Sequence, residues 1–342
     1  MKIYACYFND EEIKRIISSS VSQKGKCANC GLNSEYVEIE DLLEFFFDFL
    51  SVFTKDDEGI PLYILIQQDW DIFSDNFSCQ DVLNAVLQSL KINLTAMDRV
   101  AYIPEIKECI EYWDILKDDI KWNSRFLSNI EHLIELEWDK LFGFYSTIDK
   151  DRHLYRARIH HDGNKNPLGL DEMLCPPREK TVAGRANPQG IPYLYMCNEI
   201  DTTLYETRVS YLDVVSVGIF CIKDIDELKI VDFTLCQSPF STEIANMVDF
   251  VKGKLLRQRI SGDLSKPIRR FDSELEYVPT QFICEFIRNI SGAQGIQFNS
   301  SLHQGGVNVV LFSNDNIQCI DEQIHQVTKI EIKSSIIDIP GT

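Results

Sequence analysis

The segment "PPREKTVAGRANPQG", residues 176–190, sets Arg178, Lys180 and Arg185 among three prolines and two glycines in a chain of net charge −19. Guanidinium forks and backbone N–H groups on a turn suit small anions such as a pyrophosphate, and prolines lower the entropic cost of holding such a turn ready. Upstream, "LYRAR" adds Arg156 and Arg158. Downstream, a short strand carries Tyr193 and Tyr195, and the helix after it carries Glu206, with Arg208 two residues on. Much later, "GIQFNSSLHQGGVNVVLF" puts Ser300 on a Gly-flanked turn before a buried strand. A carboxylate fixed beside cations and hydroxyls can stabilise a developing positive charge while the cations hold an anionic substrate. Taken singly, each residue also reads blandly: Glu206 as an exposed helix residue, Tyr195 as a half-buried strand aromatic, Ser300 as a cap or turn residue, and the loop cations as a solvated face.

These groups need elements to hold them. Over residues 35–145 the apolar positions recur at helical spacing in "IEDLLEFFFDFL", "CQDVLNAVLQSLKI", "IPEIKECIEYWDILKDDI" and "SNIEHLIELEWDKLF", which predicts a mostly helical first half. After "STIDKDRHLYRAR", the β-branched and aromatic runs "IPYLYMC", "VVSVGIFCI", "LKIVDF", "VNVVLF" and "VTKIEIK" alternate with helical patterns near 201–211, 241–260 and 278–291. The fold class is therefore α+β: a mostly helical domain over 1–147, then a mixed α/β domain over 148–342, with the boundary in the polar stretch near 146–153.

At 342 residues and 44% hydrophobic composition, the chain can bury at least one full core. Its acidity argues against wrapping nucleic acid or lying on an anionic membrane, so neither is an expected partner and a bound anion must be small. Residues 150–208 are the exception, with nine Lys and Arg against eight Asp and Glu. The start "MKIYACYFNDEEIKR" lacks the apolar run of a signal peptide, and Glu44 and Asp48 break "DLLEFFFDFLSVF". A cytoplasmic protein is expected. Eleven cysteines, mostly single within apolar runs (Cys197, Cys221, Cys284), fit reduced buried thiols rather than a disulfide framework. Phosphate-loop, dinucleotide, zinc-protease and nucleophile-elbow motifs are absent.

In order along the chain, "LYRAR", "GRANPQGIPYLYM" with "TLYETR", "PTQFICEFIR", and "GIQFNSS" leading into "GGVNVVLF" resemble the RES domain family over about residues 152–333. The resemblance implies an ADP-ribosyltransferase-like fold, with NAD+ as substrate and no cofactor beyond it. It implies cleavage of the nicotinamide–ribose bond, as a glycohydrolase or phosphorylase, by a toxin or defence effector that depletes NAD+. Transfer of ADP-ribose to a protein is the alternative it leaves. By motif, Arg156 matches the Arg of the opening block, Arg185 and Asn187 the "GRxN" block, Tyr195 the Tyr of the strand after it, and Glu206 and Ser300 the Glu and Ser; Phe298 stands where the family has Tyr. The roles implied are catalytic for Glu206, Arg156 and Ser300, and NAD+-binding for Arg185, Tyr195, Arg156 and Asn187. The chemistry is coherent: nicotinamide leaves as a neutral group, so a single carboxylate facing the ribosyl cation suffices. The arginines would hold pyrophosphate or ribose hydroxyls, Tyr195 would stack on nicotinamide, and Ser300 would orient a ribose hydroxyl or fix Glu206. Beyond NAD+, the resemblance implies an antitoxin or regulatory partner, and an oligomer is compatible with it.

Near the N-terminus, "ACYFNDEEIKRIIS" followed by "GKCANCG" resembles the cysteine-bearing start of the HEPN/RES N-terminal domain. The pair Cys27 and Cys30 wants a second pair for tetrahedral Zn2+, but only Cys6 is in reach, with Ile3 three positions before it and no His nearby. Reduced or partly buried thiols without metal are the expectation, a structural zinc the lesser alternative. "RFLSNIEH" spaces Arg125 and His132 two helical turns apart on one face, as in HEPN ribonucleases, with Phe126 replacing a polar residue. A solvated Arg and a capping or partly buried His are the favoured reading, with the helical half regulating, sensing or oligomerising. A HEPN-type ribonuclease with an inert RES half is the remaining alternative. His160 and His161 read as loop residues, at the surface or at substrate.

Overall fold

The computed structural model describes residues 1–19, 23–143, 145–161, 165–267, 274–331 and 334. The first part of the chain holds strands β1 (Lys2–Tyr4), β2 (Gln23–Lys26), β3 (Asn33–Glu38), β4 (Phe53–Pro61) and β5 (Arg99–Tyr102). Its helices are α1 (Glu11–Ser19), α2 (Leu43–Leu50), α3 (Leu62–Trp70), α4 (Asn76–Ser89), α5 (Pro104–Trp122), α6 (Ile130–Glu135) and α7 (Trp138–Leu141). Local chemistry sets their starts. Asp75 caps α4 by accepting the backbone N–H of Ser78 at 2.7 Å, and Asp10 accepts those of Glu12 and Ile13 ahead of α1. Pro104 opens α5, where its missing N–H costs nothing.

This half is less purely helical than its periodicity predicts. Strands β1, β3 and β2 form a three-stranded sheet and β4 pairs with β5. The misreading has a cause in β4, whose "FTKDDEG" is nearly all polar and mostly exposed, so it gives no apolar alternation.

After residue 145 come β6 (Ser146–Asp149), β7 (Leu154–Ile159), β8 (Leu194–Cys197), α8 (Ile200–Glu206), β9 (Val214–Ile222), β10 (Glu227–Asp232), α9 (Met247–Ser265), α10 (Val278–Phe286), β11 (Gly295–Asn299), β12 (Val307–Leu311) and β13 (Ile317–Gln326). With helices and strands in both halves, the fold is α+β. The eight strands form one mixed sheet in the order β13-β9-β7-β8-β12-β11-β10-β6, in which only β10 and β11 run parallel. On one face Leu154, Leu194, Met196, Phe220, Val309 and Leu311 belong to a shared core; on the other Ala157, Val215 and Val217 pack with Ile200 and Leu204 of α8. Successive residues of β7 and β9 thus point to opposite faces, as the pleat requires. The run "VTKIEIK" is not a strand over its described residues: pairing ends where Val327 and Asp213 share a hydrogen bond of 2.9 Å. The edge strand lies upstream, in the polar β13, which pairs with β9 alone and leaves most of its side chains exposed.

Contacts divide the chain into two compact units, Met1–Asp119 with Ile130–Leu141 and Leu235–Arg259, and Ile120–Asn129 with Phe142–Thr234 and Ile260–Thr342. Residues 235–259 thus belong to the first unit, where a single cut at 147–148 assigns them to the second. Their side chains give the reason. Phe240 is buried against Phe46 and Phe49, with ring centroids 4.9 and 5.8 Å away, and Lys254 stands 3.7 Å over the Trp70 ring. Phe240→Ala is expected to lower the unfolding free energy of the first unit by about 3–5 kcal/mol, the usual range for a buried Phe, read by denaturant titration.

Candidate active site

In the sheet, β7 is paired with β9 along its whole length, but its ladder with β8 holds one pair, Tyr155 and Cys197. The two strands diverge on either side of that pair. A cavity of about 370 Å³ opens there, lined among others by Arg156, Arg185, Tyr195, Glu206, Phe298 and Asn308. Its size falls in the range of about 300–1,000 Å³ typical of small-molecule sites.

Glu206 is the last residue of α8, and one turn earlier Thr203 Oγ1 accepts the backbone N–H of Ala157 at 2.8 Å, tying the helix to β7. A carboxylate at a helix C-terminus gains nothing from the helix dipole, so other groups must hold it. Ser300 Oγ donates to Glu206 Oε1 at 2.7 Å and Asn308 Nδ2 donates to the same oxygen at 2.8 Å. Oε2 makes no hydrogen bond among the described residues. Ser300 is oriented in turn: its oxygen accepts the backbone N–H groups of Leu302 and His303, each at 3.1 Å, which directs its hydrogen to Glu206. Beside it His303 stacks on Tyr205, with ring centroids 4.9 Å apart and planes 9° apart, and its Nδ1 meets Thr202 Oγ1 at 2.8 Å.

The opening loop is built as a rigid turn. Tyr195 Oη donates to Asn187 Oδ1 at 2.7 Å and accepts the backbone N–H of Ala186 at 2.9 Å. Asn187 Nδ2 serves the carbonyls of Val182, Pro188 and Ile191. Buried, with its amide spent on the loop, Asn187 shapes the turn and is not part of the cavity lining. From α10, Thr280 donates to the Arg185 carbonyl and Gln281 to those of Gly184 and Asn187. Gly184 admits no side chain, because a Cβ there would stand 2.6 Å from Tyr195 Oη. Burial holds the Tyr195 hydroxyl well above the ordinary phenol range, so it stays protonated as this network requires.

The cations divide into two groups. Arg178 and Lys180 are exposed on the short turn Arg178–Lys180 and do not line the cavity, so of the loop's three cations only Arg185 reaches it. Arg185 Nη1 donates to the Leu264 carbonyl at 2.8 Å; burial lowers its pKa, while Tyr277 and then Glu206 act in the opposite direction. Arg156 makes no hydrogen bond among the described residues, and its Nη1 is buried without a partner. Burial, and then Arg158 beside it, push its pKa down to about 10, so it remains a cation at neutral pH. Among the described residues Arg158 gives one bond, Nη2 to the Leu174 carbonyl at 2.9 Å, while its Nε is buried without a partner there.

Other candidates lie elsewhere. His160 is buried, with Nε2 2.8 Å from Ser216 Oγ, and His161 is exposed; neither lines the cavity. Arg125 and His132 do not share a helix face, which corrects the expected spacing argument. Helix α5 stops at Trp122, Arg125 sits in a bend, and α6 starts at Ile130. The polar run "NSRFLSN" explains the break, since Asn and Ser side chains compete for backbone hydrogen bonds. His132 instead packs edge-on against Tyr112 at 4.5 Å and pairs with Glu135. Asn308 is the site residue that motif reading missed. Its signal was present: an amide inside the apolar strand "VNVVL" must find buried partners.

The RES domain family matches the chain over residues 153–331, more than half of its length. Residues before 153 fall outside the match. No curated protein and no solved structure matches the chain. Among the described residues no helix is long and apolar enough to cross a membrane.

Proposed function

The chain belongs to the RES domain family, and on that premise we propose that it cleaves NAD+ at the nicotinamide–ribose bond, passing the ADP-ribosyl group to water or phosphate. One observation carries the proposal: a carboxylate fixed through one oxygen shares a cavity with two guanidinium groups, one of them holding a buried N–H that no atom of the described residues answers. A buried, unsatisfied cationic donor is costly unless a ligand satisfies it, which favours an anionic ligand such as a pyrophosphate. Glu206 supplies the complementary half, a fixed negative charge for the ribosyl cation that forms as neutral nicotinamide departs. Ser300 then acts through Glu206, and Tyr195 both lines the cavity and locks the loop that carries Arg185. In this reading the enzyme depletes NAD+ as a toxin or defence effector, held in check by an antitoxin or by its own first half, a HEPN/RES-type N-terminal domain. The ribonuclease reading loses its shared helix face for Arg125 and His132 and is set aside.

The test is chromatography of NAD+ incubated with the purified protein, with and without phosphate. Free nicotinamide with ADP-ribose is expected if water is the acceptor, and free nicotinamide with a phosphorylated ADP-ribose if phosphate is. ADP-ribose found covalently on protein would replace both with a transferase, and NAD+ left intact under every condition would overturn the proposal. Asn308→Ala removes one of two donors on Glu206 Oε1 and is expected to lower kcat by about 10–100-fold, the value of a hydrogen bond to a charged group, with KM little changed. Steady-state kinetics on the folded variant checks it.

A further inference from the structure

Within the first unit, three cysteines from separate places in the sequence converge. Strands β2 and β3 are joined by a tight turn, in which Cys27 N–H donates to the Leu32 carbonyl at 2.9 Å and Gly31 N–H to the Cys27 carbonyl at 3.0 Å. Gly31 sits at φ +73°, a conformation that favours glycine, which lets "CANCG" close on itself. Cys6 comes from the short turn Ala5–Tyr7 after β1, held by its own N–H donating to Ser34 Oγ at 3.2 Å on β3. The three Sγ atoms all lie within 4.8 Å of one another, with Cys6 and Cys30 at 3.4 Å.

That separation is too long for a disulfide, whose sulfurs bond at about 2.05 Å. It suits a metal: sulfurs around a tetrahedral ion at about 2.3 Å stand about 3.8 Å apart. Cys27 is buried while Cys30 is exposed, so the cluster is anchored at one end and open to solvent at the other. Among the described residues no fourth Cys, His, Asp or Glu joins it. The acidic group Glu105, Glu137 and Asp249 differs, because Lys252 already sits among its carboxylates and pairs with all three.

We propose that Cys6, Cys27 and Cys30 form a three-thiolate site for a thiophilic divalent cation of the Zn2+ type, with the fourth position taken by solvent. Each thiol releases its proton to solvent on binding, and the ion cross-links the turn after β1 to the β2–β3 turn. The three strands of this sheet are only three to six residues long, and the ion acts as a staple for it.

The test uses the full chain, reduced and stripped with chelator, then titrated with Co2+ and back-titrated with Zn2+. One Co2+ per chain is expected, with thiolate charge-transfer absorption and the visible bands of a four-coordinate ion, both lost as Zn2+ displaces it. Cys27→Ser should weaken binding by more than about 100-fold, the upper range for losing an outer contact alone. Because Cys27 is buried, the exposed Cys30→Ser provides a variant whose folding is not at stake, and it should show the same loss. Cys236→Ser, an exposed cysteine outside the cluster, should leave binding unchanged. A reduced, folded chain that takes up no Co2+, or uptake that survives Cys30→Ser undiminished, overturns the proposal.

Discussion

Glu206→Gln is expected to lower nicotinamide release by about 10³-fold while leaving the fold and NAD+ affinity close to those of the parent, a loss of the size seen when one preorganised electrostatic group is removed. The substitution is informative because of how the carboxylate is held. Ser300 and Asn308 both donate to Oε1, and a glutamine carbonyl oxygen can accept the same two hydrogen bonds at 2.7 and 2.8 Å. The side chain keeps its length and its anchors, while the charged, accepting Oε2 becomes a neutral amide nitrogen. In the proposed reaction nicotinamide departs without needing a proton, so the carboxylate acts as a fixed charge that strengthens its hold as the ribosyl cation develops. The deficit should therefore appear in kcat, with substrate affinity from isothermal titration nearly unchanged. Turnover within tenfold of the parent, about 1.4 kcal/mol, would remove Glu206 from that role.

How far the sequence spoke for this site varies residue by residue. Strand β9 was legible because "VVSVGIFCI" is a β-branched run that the sheet buries, and α8 because Leu204 and Ile200 recur at helical spacing toward a core. The meeting of Glu206 and Ser300 was not legible from spacing, since 94 residues separate them and no period spans that distance. The ordered motifs of the family joined them instead. Asn187 was named with the ligand-binding residues by its place in "GRxN", yet its amide is consumed within the loop, a distinction that only the partners of each atom reveal. Strands β4 and β13 were lost because edge and exposed strands carry polar residues that mask the alternation. The assignment of residues 235–259 to the first unit depended on Phe240 finding Phe46 and Phe49, a long-range packing choice that local pattern does not encode.

Arg156→Met should move stability and binding in opposite directions. Among the described residues the Arg156 guanidinium has a buried Nη1 with no hydrogen-bond partner, and Arg158 beside it adds like-charge repulsion. Leaving such a donor unanswered costs on the order of 1–3 kcal/mol, and exchanging a buried charged group for an apolar one of similar length is often stabilising. Methionine is flexible enough to fill the space without strain. The variant is expected to melt higher than the parent by about 2–4 °C for each kcal/mol recovered. If the missing partner is the pyrophosphate of NAD+, the same change removes a charge-assisted hydrogen bond and weakens NAD+ binding by about 10–100-fold. Melting curves with and without NAD+ read both effects together, because a ligand that binds only the folded state raises the midpoint with its concentration. The parent should start lower and rise with NAD+; Arg156→Met should start higher and need about 10–100-fold more NAD+ for the same rise. Arg156→Lys separates charge from geometry, since an ammonium keeps the charge but not the planar fork. A methionine variant that melts lower than the parent, yet still gains the full NAD+ shift, would mean that Arg156 is satisfied within the fold and that the anion is held elsewhere. If NAD+ supplies the missing partner, the cost carried at Arg156 is offset on binding, and stability and function are opposed at that one side chain.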